Sequence, residues 1–392
     1  MSRALHIDRS GPLSRAALLR DGELSDLHLD RLDRPAWLGS LRLGRVVRVV
    51  AGLDAAFVEI GDRLPGLLNA ADVRPLPSGR DRREARIGQL LRTGQAVLVQ
   101  VKADAHGDKG AVLTMDVTLP GRFLVHAPLG SGLHLSRRLG RGPERARVQA
   151  TLRDLLPAEG GWIVRADAAS ADPGLLALEA ESLWADWRQA ARAADGAGAP
   201  ALLLPAPTAP VRALLEFGGA GFDAIRVEGA EALAEVRRWC RDRAPDLEPL
   251  VRPHVARLSL FEEGDLAGAI AALAERRVPL AQGGSLVIER TEALTVIDVN
   301  GGERGNPLST NLEAAREIAR QLRLRNVGGI VVVDFVNMAA AADREHLLLT
   351  LTQAVSEDPA GTHVYGLSKL GLMEMTRSRR GPPVADLLDG LD

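Results

Sequence analysis

Apolar and polar residues alternate along Arg15–Arg31 and break at Asp21-Gly22, which predicts an antiparallel hairpin near the start of the chain. A new pattern opens near Trp37. LGRVVRVVAGLDAAFVEIG reads as two strands joined by the turn Ala51–Asp54, and GLLNAADV, GQAVLVQVKAD and KGAVLTMDVTL add short β-runs separated by Gly, Asp and Pro. Such runs over about eighty residues predict a small Greek-key barrel. Alternation sets Ala56, Val58 and Ile60 on its inner face and Phe57 with Glu59 on the other.

From Leu119 to about Pro210 the pattern is irregular. It holds an Arg-rich turn, a helix at Arg145–Leu155, a strand at Gly161–Ala166, a helix at Leu175–Ala194, and an Ala/Pro/Gly-rich bridge in which Ala201-Leu-Leu-Leu reads as a strand. Val211–Leu250 alternates helix and strand and is expected to complete one split subdomain with the N-terminal hairpin. In the last stretch, GGSLVIER and EALTVIDVN form a hairpin around Arg290–Glu292. A helix follows from near Thr310, with Ser309 or Thr310 as its N-cap and Glu313 as the reciprocal partner. Leu312, Ala315, Ile318, Ala319 and Leu322 recur at helical spacing, so this helix packs on a sheet. Gly328–Gly329 end it, and the strand Ile330–Val333 delivers Asp334.

Composition narrows the class. A chain of 392 residues exceeds one ordinary core, so about two to four subdomains are expected. With 46% hydrophobic and 26% charged residues and no apolar run near ~18 residues, it reads as soluble rather than membrane-spanning. The N-terminus lacks the apolar core of a signal peptide, and a cytoplasmic location is expected. The single cysteine, Cys240, excludes an internal disulfide and reads as a packed thiol beside Val236 and Trp239. A net charge of -2 argues against a uniformly basic nucleic-acid coat, so any nucleic-acid contact must be patchy. Arginines cluster at Arg80–Arg86, Arg137–Arg147 and Arg316–Arg325, mostly interleaved with acids as a solvated face would be. The second cluster holds five arginines to one acid and is the candidate phosphate contact, led by Arg137 and Arg138.

The candidate chemistry lies between Leu294 and Met338. Asp298 and Asp334 each end an apolar β-run, and Asn300 projects from the same face as Asp298 if the strand persists. Such carboxylates either cap the following turn or hold a cation. Two carboxylates and a carboxamide can converge on one metal.

Ile297–Asn300, Thr310–Ala315, Glu317–Arg325, Gly328–Gly329 and Asp334–Phe335 together resemble the catalytic subdomain of the ribonuclease E/G family. Weaker resemblance extends over almost the whole chain, and the barrel resembles an S1 domain. The implied fold is α+β and multidomain. An RNase H-like domain (1–35 and 211–278) carries an inserted S1 (OB-fold) barrel at 36–118. A 5′-sensor region follows at 119–210, then a DNase I-like catalytic subdomain at 279–380 and a tail at 381–392.

The resemblance implies that Asp298 and Asp334 bind Mg²⁺ and that Asn300 orients the scissile phosphate or a water. It implies single-stranded RNA as substrate, cut by water to leave a 5′-phosphate and a 3′-hydroxyl. Phe57 and Lys109 fall on the family's S1 contacts, Leu67 replaces its second stacking Phe, and Arg137, Arg138 and Lys369 are further expected RNA contacts. Gly121, Val125 and Arg165 fall on its 5′-phosphate sensor, where Ala166 replaces a Thr. The zinc-binding Cys-Pro-x-Cys motif is missing, so no zinc, no zinc-linked pairing and no small C-terminal domain or scaffold tail are expected, while a homodimer remains open. The alternatives are a noncatalytic RNA-binding or maturation factor that keeps the fold, and a DNA-directed nuclease with the same metal site.

Overall fold

A six-stranded mixed sheet organises the C-terminal part of the chain in the computed structural model, which describes residues 2–74, 85–140, 142–303, 305–356 and 358–390. By its contacts the chain divides into two units, one comprising 1–2, 17–29 and 256–392, the other 3–16 and 30–255. In the first unit the sheet runs Arg277–Pro279, Ser285–Arg290, Leu294–Asn300, Gly329–Asp334, Met373–Arg377, Thr362–Leu367. Neighbours are antiparallel except Leu294–Asn300 and Gly329–Asp334, which lie parallel. Parallel neighbours need a crossover, supplied by the helix Pro307–Leu324.

Alternation then divides the two faces. Ile297, Val299, Val331, Val333, Met373 and Met375 are buried with Ala315, Ile318 and Leu322 of that helix and with Leu347 and Leu351 of a second helix, Ala341–Val355. The opposite face keeps Val296, Asp298, Asn300, Ile330 and Asp334 exposed.

The crossover helix starts earlier than its pattern predicts. Pro307 occupies the first turn, where a missing N–H costs nothing, and Asn306 is the N-cap, its side chain accepting from Ser309 N at 3.3 Å. Thr310 is therefore inside the helix, and Glu313 accepts from Gln282 N at 3.0 Å instead of closing a capping box. The helix also ends before Gly328–Gly329: Arg325 is its C-cap and Asn326 turns left-handed at φ 50. Beneath the sheet, Asp358 and Arg377 form a buried ion pair at 2.7 Å. The N-terminal hairpin Leu13–Arg20 and Glu23–Arg31 turns at Asp21 and Gly22, with φ of 50 and 85, as its turn residues predict.

In the second unit, Leu41–Val50, Ala55–Glu59, Gly66–Asn69, Val112–Thr114 and Ala96–Ala103 pair in that order, and Leu41–Val50 also pairs with Ala96–Ala103, closing the barrel. Val46, Ala56, Val58, Ile60, Leu68, Val99 and Leu113 fill its interior, as alternation requires. The strand Ala201–Leu204 is present and joins the barrel sheet alongside Leu41–Leu43. A four-stranded sheet follows, in the order Gly132–Leu135, Gly161–Val164, Leu124–Ala127, Leu119–Pro120, covered by the helices Pro143–Leu155 and Pro173–Gly196. Arg3–Ser10 lies parallel to Ala224–Val227, and that strand lies parallel to Val251–Pro253 through the helix Ala230–Arg243. Cys240 is buried on this helix, and burial pushes its thiol up to about 12. Among the described residues no helix is long and apolar enough to cross a membrane.

Candidate functional site

Asp298 and Asp334 are register partners on the two parallel strands. Adjacent strands lie about 4.8 Å apart, so the two carboxylates stand side by side on the open face of the sheet. Asn300 shares that face, and its Nδ2 donates to Asp298 Oδ2 at 2.7 Å. All three side chains are exposed. Among the described residues neither carboxylate accepts a backbone N–H, so neither acts as the turn cap that its position also allowed.

The donor set fits a hard divalent cation. Mg²⁺ takes oxygen ligands, commonly from one or two carboxylates, and keeps waters in its remaining positions. Among the described residues no group of three or more His, Cys, Asp or Glu stands together, so this pair would leave most of such an ion's shell to water and substrate.

One feature below the carboxylates escaped the sequence reading. Asn311, fully buried in the first turns of the crossover helix, donates from Nδ2 to Val336 O at 2.7 Å and accepts from Val336 N at 3.0 Å. It thereby anchors the chain two residues past Asp334. The available signal was a carboxamide set among the apolar positions of a helix, where burial demands a specific partner. Lys369, an expected RNA contact, lies in the turn at Ser368–Gly371, which joins Thr362–Leu367 to Met373–Arg377. The register puts this turn on the same sheet edge as Asp298 and Asp334, so exposed Lys369 adds positive charge at that edge.

The remaining candidates lie in the second unit. Phe57 is half-buried on the outer barrel face, opposite Arg48 and Leu67 on the flanking strands. Most of the Arg80–Arg86 cluster lies outside the described residues, which omit 75–84. Lys109 is exposed in a loop closed by its bridge to His106. That loop passes so close to Pro65 that a Cβ on Gly110 would collide with the Pro65 carbonyl. Arg137 and Arg138 are exposed on a single 3₁₀ turn, where Ser136 Oγ accepts from Arg138 N at 3.2 Å. Arg145 and Arg147 of the same cluster bond to backbone carbonyls of Ser136 and Ala169, and Arg141 lies outside the described residues.

Gly121, Val125 and Arg165 come together. Val125 pairs with Ile163, Leu124 with Val164, and Arg165 N donates to Phe123 O at 2.8 Å. Arg165 Nη1 donates to Leu215 O at 3.2 Å. Buried Glu179 holds the turn by accepting from the backbone N–H groups of Arg122, Phe123 and Leu124 at 2.7, 2.8 and 2.7 Å. Burial raises its carboxyl above the ordinary value, against the pull of those three amides and of Arg122. A side chain at Gly121 would collide with that carboxylate, which explains a glycine in an otherwise ordinary turn.

The model of the ribonuclease E/G family matches residues 118–380. Ribonuclease G of Haemophilus influenzae is 34% identical over 379 residues, covering 93% of this chain and 77% of its own. Ribonuclease G of Escherichia coli K12 is 33% identical over 99% of this chain and 82% of its own. Ribonuclease E of a Nostoc species is 38% identical over 89% of this chain, which spans 52% of that longer protein. The chain belongs to the ribonuclease E/G family.

Proposed function

We propose that this protein is an endoribonuclease of RNA processing or decay that hydrolyses single-stranded RNA with a divalent cation held by Asp298 and Asp334. The observation that carries this reading is the register pairing of the two carboxylates, open to solvent, in a chain of the ribonuclease E/G family. A Mg²⁺ ion there supplies positive charge and Lewis acidity toward phosphate oxygens and water. Asn300 steadies Asp298 and presents its carboxamide where a scissile phosphate would arrive. Lys369, on the same edge, draws in the RNA backbone. Water adds to phosphorus and the P–O3′ bond breaks, leaving a 5′-phosphate on one fragment and a 3′-hydroxyl on the other. The barrel with Phe57 and Lys109, and the turn with Arg137 and Arg138, hold the single strand. Gly121, Val125 and Arg165 receive a 5′-terminal phosphate.

The test is incubation of the purified protein with end-labelled single-stranded RNA and with DNA of the same sequence, each with Mg²⁺ and with EDTA. Endonucleolytic cutting of RNA only, abolished by EDTA and leaving 5′-phosphate ends, is the expected result. Cleavage in EDTA, 2′,3′-cyclic phosphate ends, or equal cutting of DNA would overturn it.

A further inference from the structure

Arg48 faces outward because its strand is irregular. Val46 is fully buried in the barrel, and strict alternation would turn Arg48 inward as well. The register between Leu41–Val50 and Ala55–Glu59 shifts between Val46 and Arg48, so Val47 is accommodated as a bulge and both Val47 and Arg48 are exposed. Bulges re-aim side chains and cluster near functional surfaces. Here the re-aimed residue is Arg48, which lands opposite Phe57 with its guanidinium carbon 4.7 Å from the ring centroid.

Four other arginines of the barrel are committed to the protein. Arg42 donates to Ile60 O, Arg45 to Gly94 O and Ala199 O, and Arg74 and Arg86 pair with Asp116 and Asp54. Among the described residues Arg48 makes no ion pair or side-chain hydrogen bond, and its contact is the ring. The row continues across the barrel through Leu67 and Val112, neither of which has a π-face.

We propose that Arg48 is a base-stacking residue of this barrel. Phe57 backs the guanidinium and holds it flat, and the guanidinium's outer face receives a nucleobase of single-stranded RNA while its N–H groups meet the adjoining phosphate. Arginine suits this task because it is planar, weakly hydrated and always charged, whereas lysine offers the charge without the plane. The inference rests on the proposed role of the barrel and Phe57 in holding RNA.

The experiment measures binding of a fluorescein-labelled single-stranded RNA by anisotropy, in EDTA, for the full chain and for Phe57→Ala, Arg48→Gln, Arg48→Lys and the Phe57→Ala/Arg48→Gln double variant. Thermal unfolding of each checks that the exposed substitutions leave the fold intact. Phe57→Ala and both arginine variants should each weaken binding about tenfold, and the double variant should fall well short of the product of the two single losses. Arg48→Lys binding like the parent would mean that charge alone matters and would overturn the stacking role. Unchanged binding by both arginine variants with Phe57→Ala weakened would overturn the inference and leave the barrel's role standing. Unchanged binding by Phe57→Ala would remove the ring from the contact and overturn both.

Discussion

Asn311 grips Val336 by both of its backbone groups, donating to the carbonyl at 2.7 Å and accepting from the amide at 3.0 Å. Two otherwise orphaned main-chain groups are satisfied, and the segment that leaves the sheet after Asp334 is tied to the crossover helix. Asn311→Ala should lower unfolding free energy by about 2–4 kcal/mol, since each abandoned buried partner costs about 1–3 kcal/mol. Urea unfolding is the measurement, and a loss below about 1 kcal/mol would show that water takes over the clamp. Cleavage by the folded variant should require more Mg²⁺ than the parent, because the segment following Asp334 is no longer held.

Asp298→Asn and Asp334→Asn should leave the melting temperature close to the parent's, because both side chains are exposed. Each should lose cleavage by roughly 100-fold or more, since a neutral amide is a poor ligand for a hard cation. Rates on single-stranded RNA over a Mg²⁺ titration decide it. Parental rates at limiting Mg²⁺ for both variants would place the site elsewhere.

Asp358 makes the six-stranded sheet sensitive to acid. Burial pushes its carboxyl up, but hydrogen bonds and charge from Arg377, with bonds from Thr362 and the Ala360 amide, outweigh burial and hold it below 3.8. A carboxyl depressed in the folded state contributes stability that is present in full above its unfolded value and is lost as pH falls through its folded value. The parent should therefore weaken below about pH 4, and Asp358→Asn should show a flatter pH dependence there. At neutral pH the variant should be less stable by about 3–5 kcal/mol, because Arg377 remains buried beside a neutral partner. Denaturant unfolding at pH 3 to 7 measures both effects, and parallel pH curves for the two proteins would contradict the assignment.

Ala166 directly follows Arg165 and cannot donate a hydrogen bond from its side chain. A charge-assisted bond to a terminal phosphate is worth about 1.5–3 kcal/mol. Weak preference for 5′-monophosphorylated over 5′-hydroxylated RNA is expected of the parent, and Ala166→Thr should raise it roughly tenfold. Matched substrates differing only at the 5′ group provide the comparison. A strong preference in the parent would mean that other donors complete the pocket.

Local chemistry was legible in the sequence where it acts over a few residues. The Asp21-Gly22 turn, the inward set Ala56, Val58 and Ile60, and the strands that carry Asp298 and Asp334 all follow from patterns that need no distant partner, although the first of those strands runs on past Asp298 to Asn300. The helix start was misread because Ser309 and Thr310 are good caps in isolation, while Asn306-Pro307 wins by combining a cap with a preset first turn. What depended on distant pairing stayed hidden. Asn311 finds Val336, and the bulge at Val47 breaks the alternation from which facing is inferred. Sequence put Asp298 and Asp334 at strand ends, and only the register made them neighbours.

That register has a consequence for how the protein tolerates change. The gap between the two carboxylates is set by the repeat of the peptide ladder and not by which side chains fill the layer beneath it. Conservative swaps among Ile318, Leu322, Leu347 or Met375 can erode heat resistance while turnover per folded molecule stays near its original value. A slip of one residue between the two strands, by contrast, would turn one acid under the sheet and leave the other outside. Drift in the core is graded, whereas the acid pair is either assembled or lost.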